Sequence, residues 1–99
     1  MLTDKFKEWL ENQTDKFVII DRYEYNPTRP SSESDGSVVI NFIDRNESYC
    51  GNICVRNTGG YVDAYMLDMS GNEVWGISRS VDNDVDFTLL LKEMFKYLK

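Results

Sequence analysis

Residues 37–80 read SVVINFID RNE SYCGNICVR NTGG YVDAYML DMSGN EVWGISRS, and this stretch decides the fold. It contains four runs rich in β-branched and aromatic residues, each of a length typical of a strand. The separators between the runs contain residues that favour or tolerate a positive φ angle. Because short separators join antiparallel neighbours, we expect a meander of strands at Ser37–Asp44, Ser48–Arg56, Tyr61–Leu67 and Glu73–Ser80.

The Tyr61–Leu67 run alternates in polarity, as expected of a strand whose successive side chains point to opposite faces. One face takes small or apolar side chains and the other takes two tyrosines around an aspartate: Val62, Ala64 and Met66 against Tyr61, Asp63 and Tyr65. This alternation is typical of an antiparallel sheet with one covered and one solvated face.

The flanking segments predict one more strand and two helices. A β-rich run begins at Phe17 and extends toward Tyr25, which predicts a first strand. Helical spacing of apolar residues precedes it, with Thr3 as a candidate N-cap: Leu2, Phe6, Trp9, Leu10 and Gln13. A broad apolar stripe predicts a closing helix, with Asp84 or Asp86 as its cap: Phe87, Leu90, Leu91, Met94, Phe95 and Leu98.

Together these segments predict an α+β fold in the order α-β-β-β-β-β-α. We expect a five-stranded antiparallel meander sheet with the N-terminal and the C-terminal helix packed on one face. A chain of 99 residues suits a single domain over residues 1–99. Asn26–Gly36 contains both prolines and no aliphatic side chain, which predicts a long, mobile loop of a kind that is often functional.

The chain has no histidine and carries 17 acidic against 11 basic residues, a net charge of −6. Catalysis by an imidazole base, or by a nucleophile that such a base activates, is therefore excluded. A pair such as Asp63 and Tyr65 could still support acid–base chemistry, but nothing in the sequence indicates that acids converge in a pocket. We expect a binding protein and no enzyme.

The sequence offers no convincing cofactor or metal site. If Cys50 and Cys54 share a strand, their α-carbons lie about 13 Å apart. A disulfide tolerates about 7 Å at most, so we expect free thiols. Structural zinc requires four ligands, and the chain has neither a third cysteine nor a histidine. The alternating acids of Asp82–Asp86 are similar to a calcium loop, but Phe87 stands where that loop requires glycine.

Other ligand classes also lack support. Gly59–Gly60 has no following Lys-Ser or Lys-Thr, so nucleotide binding is not indicated. The net negative charge would repel the phosphates of nucleic acid. Since no apolar run reaches 18 residues and no signal-peptide core follows Met1, we expect a cytoplasmic protein without membrane contact.

Between Ser37 and Asp86 the sequence contains eight acids and three arginines, a local charge of 3 − 8 = −5. This charge suits either a well-solvated surface or an anionic face for a basic partner. Tyrosines next to carboxylates favour the second interpretation, because aromatic residues are enriched at interface hot spots. The candidate partner-binding residues are Tyr61, Asp63, Tyr65, Asp82, Asp84, Tyr23 and Glu24.

Four segments together give the whole chain a resemblance to small acidic immunity proteins of bacterial contact-dependent and polymorphic toxin systems: Phe6–Leu10, Tyr61–Tyr65, Asn72–Gly76 and Leu89–Phe95. The resemblance implies an antitoxin that binds a cognate toxin, commonly a basic nuclease, and covers its substrate-binding or active site. It implies no cofactor and no direct contact with nucleic acid. The association rate would then depend strongly on salt.

Two other classes fit the same sequence. A phage-type acidic inhibitor that imitates nucleic acid would share the charge, and only its target would distinguish it. A non-catalytic structural domain would instead self-associate, for example as a homodimer paired through an exposed strand edge.

Overall fold

The computed structural model describes residues 2–13, 15–25 and 36–98. The loop predicted over Asn26–Gly36 lies outside these ranges except for its last residue. The described elements in chain order are α1 (Leu2–Glu11), β1 (Phe17–Tyr25), β2 (Ser37–Asp44), β3 (Tyr49–Arg56), β4 (Tyr61–Asp68), β5 (Glu73–Ser80), α2 (Phe87–Leu90) and α3 (Lys92–Phe95), and a 3₁₀ turn lies at Thr58–Gly60.

The five strands form one antiparallel sheet in the order β1-β2-β3-β4-β5, which confirms the predicted meander. The observed strands agree with the predicted ones to within one residue at each end. In β2, and in β4 from Val62 to Met66, every second side chain is buried, as the alternation predicts. The sheet is open, so β1 and β5 form its two edges.

Helices from both ends of the chain cover the same face of the sheet, as predicted. One core joins them, and its largest buried side chains are Phe6, Phe42, Phe87, Leu2, Ile40, Ile53, Met66, Leu91 and Met94. Each such side chain stabilises the fold by about 1.5–3 kcal/mol through removal from water. The helices are therefore held to this face by apolar burial.

An aromatic cluster holds the first and last helices side by side. The Phe6 ring lies 5.2 Å from the Phe87 ring, and the Trp9 ring lies 6.0 Å from the Phe95 ring, measured between centroids. The Trp9 indole N–H donates a hydrogen bond of 2.9 Å to the Thr88 hydroxyl. Contacts of this kind favour tilted or edge-on geometry, which fixes the orientation of the helices as well as their distance.

The predicted N-cap at Thr3 is wrong. Helix α1 begins at Leu2, so Thr3 lies inside its first turn and is buried. The Thr3 backbone N–H donates to Asn57 Oδ1 at 3.0 Å. An N–H group in the first turn has no acceptor within the helix. Here the acceptor is a side chain of the β3–β4 connection, which is too distant along the chain for the local sequence to indicate it.

The closing helix is two short helices instead of one, although its apolar stripe and its cap are as predicted. Asp86 Oδ1 accepts from the N–H groups of Thr88 and Leu89. Leu91 interrupts the helix with φ −103° and ψ 14°. Beyond the second short helix, the Tyr97 hydroxyl donates to the Val74 carbonyl and the Tyr97 ring packs against Tyr49.

Among the described residues, no helix combines the length and the apolar character needed to cross a bilayer.

Candidate functional site

The face of the sheet opposite the helices is the candidate site, because no described helix covers it. We call it the open face. Directly opposite residues of antiparallel strands point to the same side, so the strand register defines the rows that cross it. Among its members are Val18, Tyr23, Val39, Asn41, Ile43, Cys50, Asn52, Cys54, Arg56, Tyr61, Asp63, Tyr65, Leu67 and Ser78.

The predicted residues Tyr61, Asp63 and Tyr65 lie together on this face along β4. Tyr61 is held in place, since its hydroxyl shares a hydrogen bond with the Ser78 hydroxyl and the Arg56 guanidinium lies 5.0 Å from its ring centroid. Tyr65 is 39% exposed. The exposed Asp63 carboxylate makes no ion pair or hydrogen bond with a described residue, so its charge is available to a partner.

Tyr23 lies on the open face as well, and a β-bulge in β1 puts it there. Phe17 and Ile19 pair with Asp44 and Phe42 on the core side, and Ile20 is the extra residue of the bulge. Beyond the bulge Tyr23 pairs with Val39 and is 47% exposed. Three strand spacings separate it from the β4 tyrosines, a distance of about 14 Å. Tyr23 and Tyr65 thus stand on opposite sides of one surface.

Glu24 points to the helix side and is separate from the other predicted residues. Its carboxylate accepts from Lys7 Nζ at 3.2 Å and from Arg22 Nε at 3.1 Å. The hydrogen bond from Lys7, with the nearby positive charges, lowers the pKa of Glu24 below its ordinary value. Glu24 therefore connects α1 to the edge strand β1.

Asp82 and Asp84 lie beyond the end of β5, in the segment that leads to α2. Both are exposed, and together with Arg79 they line a depression of about 360 Å³ at this end of the molecule. The backbone of the segment is fixed by hydrogen bonds from Val81 to Gly60 and from Val85 to Asp82. The structure thus places these acids past the end of the strand whose Ser80 pairs with Tyr61, outside the sheet itself.

An apolar row that the sequence pattern does not reveal crosses one end of the open face. The register aligns Val18, Ile43, Cys50 and Leu67 on four neighbouring strands. Val18 is 43% exposed, and the bulge residue Ile20 at the same edge is 57% exposed. Alternation in β2 indicates that Ile43 is turned away from the core, but only the register shows that these residues form one row.

A pair of amides lies next to the apolar row, in the same cross-strand row as Tyr65. Asn52 Nδ2 donates to Asn41 Oδ1 at 2.9 Å across the β2–β3 pair. This bond satisfies part of the hydrogen-bonding capacity of each amide and leaves the rest for solvent or a partner. The open face therefore combines an apolar end, a polar centre and a tyrosine-rich end, a mixture typical of protein–protein interfaces.

The open face is large enough for a protein partner. Five strands at a spacing of ~4.8 Å, each with about eight residues at ~3.4 Å, give it roughly 24 Å by 27 Å. This is about 650 Å² in projection, close to the ~800 Å² that each partner buries in a standard interface.

Both cysteines are free thiols, as predicted, and both lie partly buried on this face. Burial, more than any neighbouring charge, raises the pKa of the Cys54 thiol above its ordinary value. Since the thiolate is the reactive form, Cys54 is a poor nucleophile at neutral pH. Within the described part of the chain, no three Cys, Asp or Glu side chains come close enough to hold a metal ion.

Comparisons of the chain with protein-family models, with curated proteins and with solved structures gave no match.

Proposed function

We propose that this chain is an immunity protein: it binds a cognate, basic nuclease toxin and blocks that toxin by covering its substrate-binding or active site. The observation that carries the proposal is the open face, where two tyrosines flank the unpaired Asp63 carboxylate on a surface of interface size. Tyrosine supplies contact area at low entropic cost and Asp63 supplies complementary charge. Inhibition then requires occupancy alone.

The net charge of −6 supports a basic partner over an acidic one. Opposite charge raises the rate of encounter and suppresses binding of like-charged proteins. A nuclease must itself attract phosphates, so its substrate groove carries positive charge. An acidic protein that docks over this groove excludes the nucleic acid by competition for the same charges.

The test is co-purification of the tagged chain from its native host at low ionic strength, followed by identification of the bound protein and assay of its nuclease activity. We expect a basic protein that degrades RNA or DNA after it is separated from the chain and is inhibited again at one equivalent. A bound protein without nuclease activity, or a product formed by the chain alone, would show that the proposal is wrong.

Matched charge-reversal variants show which face of the chain inhibits the nuclease. Asp63→Lys and Glu8→Lys change the net charge equally, but Asp63 lies on the open face and Glu8 is exposed on α1, on the helix side. We expect Asp63→Lys to abolish inhibition and Glu8→Lys to retain it. Equal loss in both variants would mean that total charge, and no particular face, determines binding.

A further inference from the structure

Gly76 occupies a strand position where the fold itself does not require a glycine. It lies in β5 opposite Tyr65, and a Cβ there would meet Glu73 Oε1 at 3.2 Å and the Ala64 carbonyl at 3.5 Å. Only the flexible end of the Glu73 side chain would have to move. Since glycine weakens a strand interior, its presence here needs a reason outside the packing.

Gly51 shows the contrasting case, in which packing does require a glycine. A Cβ at Gly51 would lie 2.5 Å from Phe42 Cζ and 2.6 Å from the Tyr65 carbonyl oxygen. Its neighbours are a buried ring and a backbone atom, and neither can move easily. A strand glycine without such neighbours often marks a place where a ligand or another chain approaches the backbone closely.

The missing side chain at Gly76 leaves a depression of about 340 Å³ in the open face. Its walls include Asp63, Tyr65, Glu73 and Ser78, and no basic residue is among its described lining residues. The Asp63 and Glu73 carboxylates make no ion pairs within the described ranges. The depression therefore joins two unpaired negative charges, an exposed phenol ring and an unobstructed floor.

This combination fits one cationic side chain. The volume is near the lower limit of ligand pockets, which span roughly 300–1,000 Å³, so it admits a single extended side chain more readily than a large ligand. A guanidinium offers a planar fork of donors that can reach two carboxylates while it stacks on an aromatic ring. An ammonium group would satisfy the charge but not the stacking.

We propose that the Gly76 depression is the anchor point for one arginine side chain on the surface of a basic partner protein that docks on the open face. The inference rests on the proposed function for the identity of the partner. The size of the face and the unpaired acids beside Tyr65 support this occupant. The apolar row begins beside the depression, because Leu67 pairs with Glu73, so apolar partner surface next to that arginine can pack on it.

The first test uses N-acetyl-arginine methylamide as the probe, with N-acetyl-norleucine methylamide as the neutral control, in an NMR titration of the ¹⁵N-labelled chain. Low ionic strength is used because salt screens exposed charges. We expect saturable shifts of the Asp63, Tyr65 and Gly76 amides with the arginine probe alone. Shifts that do not saturate, or that the neutral probe reproduces, would overturn the proposal.

Two variants remove the site in different ways. Gly76→Val fills the floor, and the double variant Asp63→Asn, Glu73→Gln removes the charges at nearly constant shape. Each variant should weaken the binding of the arginine probe at least tenfold while it keeps the wild-type unfolding midpoint. Asp21→Asn is the matched control, because Asp21 is exposed on the same face at the opposite edge. Unchanged probe binding in both site variants would also overturn the proposal.

The second test uses the nuclease obtained with the tagged chain and separates the two proposals. If that nuclease is inhibited equally by the wild-type chain and by Gly76→Val, the immunity function stands and the arginine anchor is wrong. If the arginine probe binds but no nuclease is inhibited, the anchor stands and the immunity function is wrong. If Gly76→Val loses inhibition and the helix-side control Glu8→Lys retains it, both are supported.

Discussion

Asp44, at the end of β2, is buried, with only 1% of its surface exposed. Its Oδ1 atom accepts from the backbone N–H groups of Ser48 at 2.5 Å and Tyr49 at 3.0 Å. Its Oδ2 atom has no hydrogen-bond partner among the described residues. One carboxylate oxygen thus closes the β2–β3 turn, and this acid does not belong to the anionic surface that the sequence suggests.

Replacement of Asp44 should therefore affect stability. Asp44→Ala leaves two partly buried N–H groups without their acceptor, and we expect a loss of roughly 2–3 kcal/mol in the free energy of unfolding. Urea denaturation of the wild type and the variant measures this. Asp44→Asn keeps a carbonyl acceptor and should lose less than half as much. Wild-type stability in Asp44→Ala would mean that the turn is held by other contacts.

The two strand glycines should respond to alanine in opposite directions. Gly51→Ala forces a Cβ against the Phe42 ring and the Tyr65 carbonyl, so overpacking should cost about 1–3 kcal/mol. Gly76→Ala meets only the end of Glu73 and should be neutral or stabilising by about 0.5–1 kcal/mol. Thermal unfolding of both variants measures the difference. A similar loss in both would mean that Gly76 is also a packing residue.

At the scale of the element, the strands could be predicted because each is bounded by turn residues and alternates in polarity. The closing helix shows the limit of this method. Spacing identifies Phe87, Leu91 and Met94 as the buried stripe, but the interruption at Leu91 accompanies distant contacts of Tyr97 with β3 and β5. Periodicity reports which residues face the core and contains no information about such tertiary contacts.

The bulge in β1 explains why the candidate site could be predicted only in part. Strict alternation from Phe17 would place Tyr23 on the core side, and the extra residue Ile20 moves it to the open face. No local signal in the sequence marks this bulge. Glu24 could have been separated from Tyr23 by sequence alone, because successive residues of a strand point to opposite faces. Adjacency along the chain is the only feature that groups the two.

The β4–β5 turn makes a pH-dependent contribution to the stability of the fold. Asp68 Oδ1 accepts from the backbone N–H groups of Asn72 and Ser70. These bonds, that from Asn72 first, lower the pKa of Asp68 below its ordinary value of 3.8. Because the folded pKa is the lower one, the stabilisation is fully present above the unfolded pKa and is lost as pH falls through the folded pKa.

Comparison with Asp68→Asn isolates this contribution, since asparagine can keep the turn geometry but does not titrate. We expect the wild type to exceed the variant in urea midpoint at pH values above about 4, and the difference to shrink as the pH falls below that value. Glu24 and Glu93 titrate in both proteins and cancel in the difference. A difference that is constant with pH would exclude a role for the Asp68 charge.

At the scale of the whole molecule, the acids of the 37–86 segment have different roles. Asp44, Asp68 and Asp86 accept hydrogen bonds from backbone N–H groups, so they close turns and cap a helix. Asp63 lies on the open face, and Glu73 shares a depression with it. Asp82 and Asp84 form a separate acidic end. The sequence shows the excess of acids, but only the fold shows which charges a partner can meet.

Because these acids lie in different places, charge reversal should change the association rate at some of them and the dissociation rate at others. Asp82 and Asp84 lie outside the open face, so reversal of both to lysine should act through long-range attraction. We expect Asp82→Lys, Asp84→Lys to lower the association rate several-fold at low salt and to leave the dissociation rate within about twofold. In the proposed complex Asp63 lies at the contact, and Asp63→Lys should raise the dissociation rate by about tenfold or more.

Surface plasmon resonance with the immobilised nuclease, at low and at high ionic strength, measures both rates. Because salt screens exposed charges over about a Debye length, the two association rates should converge at high salt, whereas the faster dissociation of Asp63→Lys should persist. If the reversal of Asp82 and Asp84 instead raises the dissociation rate more than the reversal of Asp63 does, the partner contacts the acidic end. The open face would then be a solvated surface, and the immunity function would have to be assigned to the segment between β5 and α2.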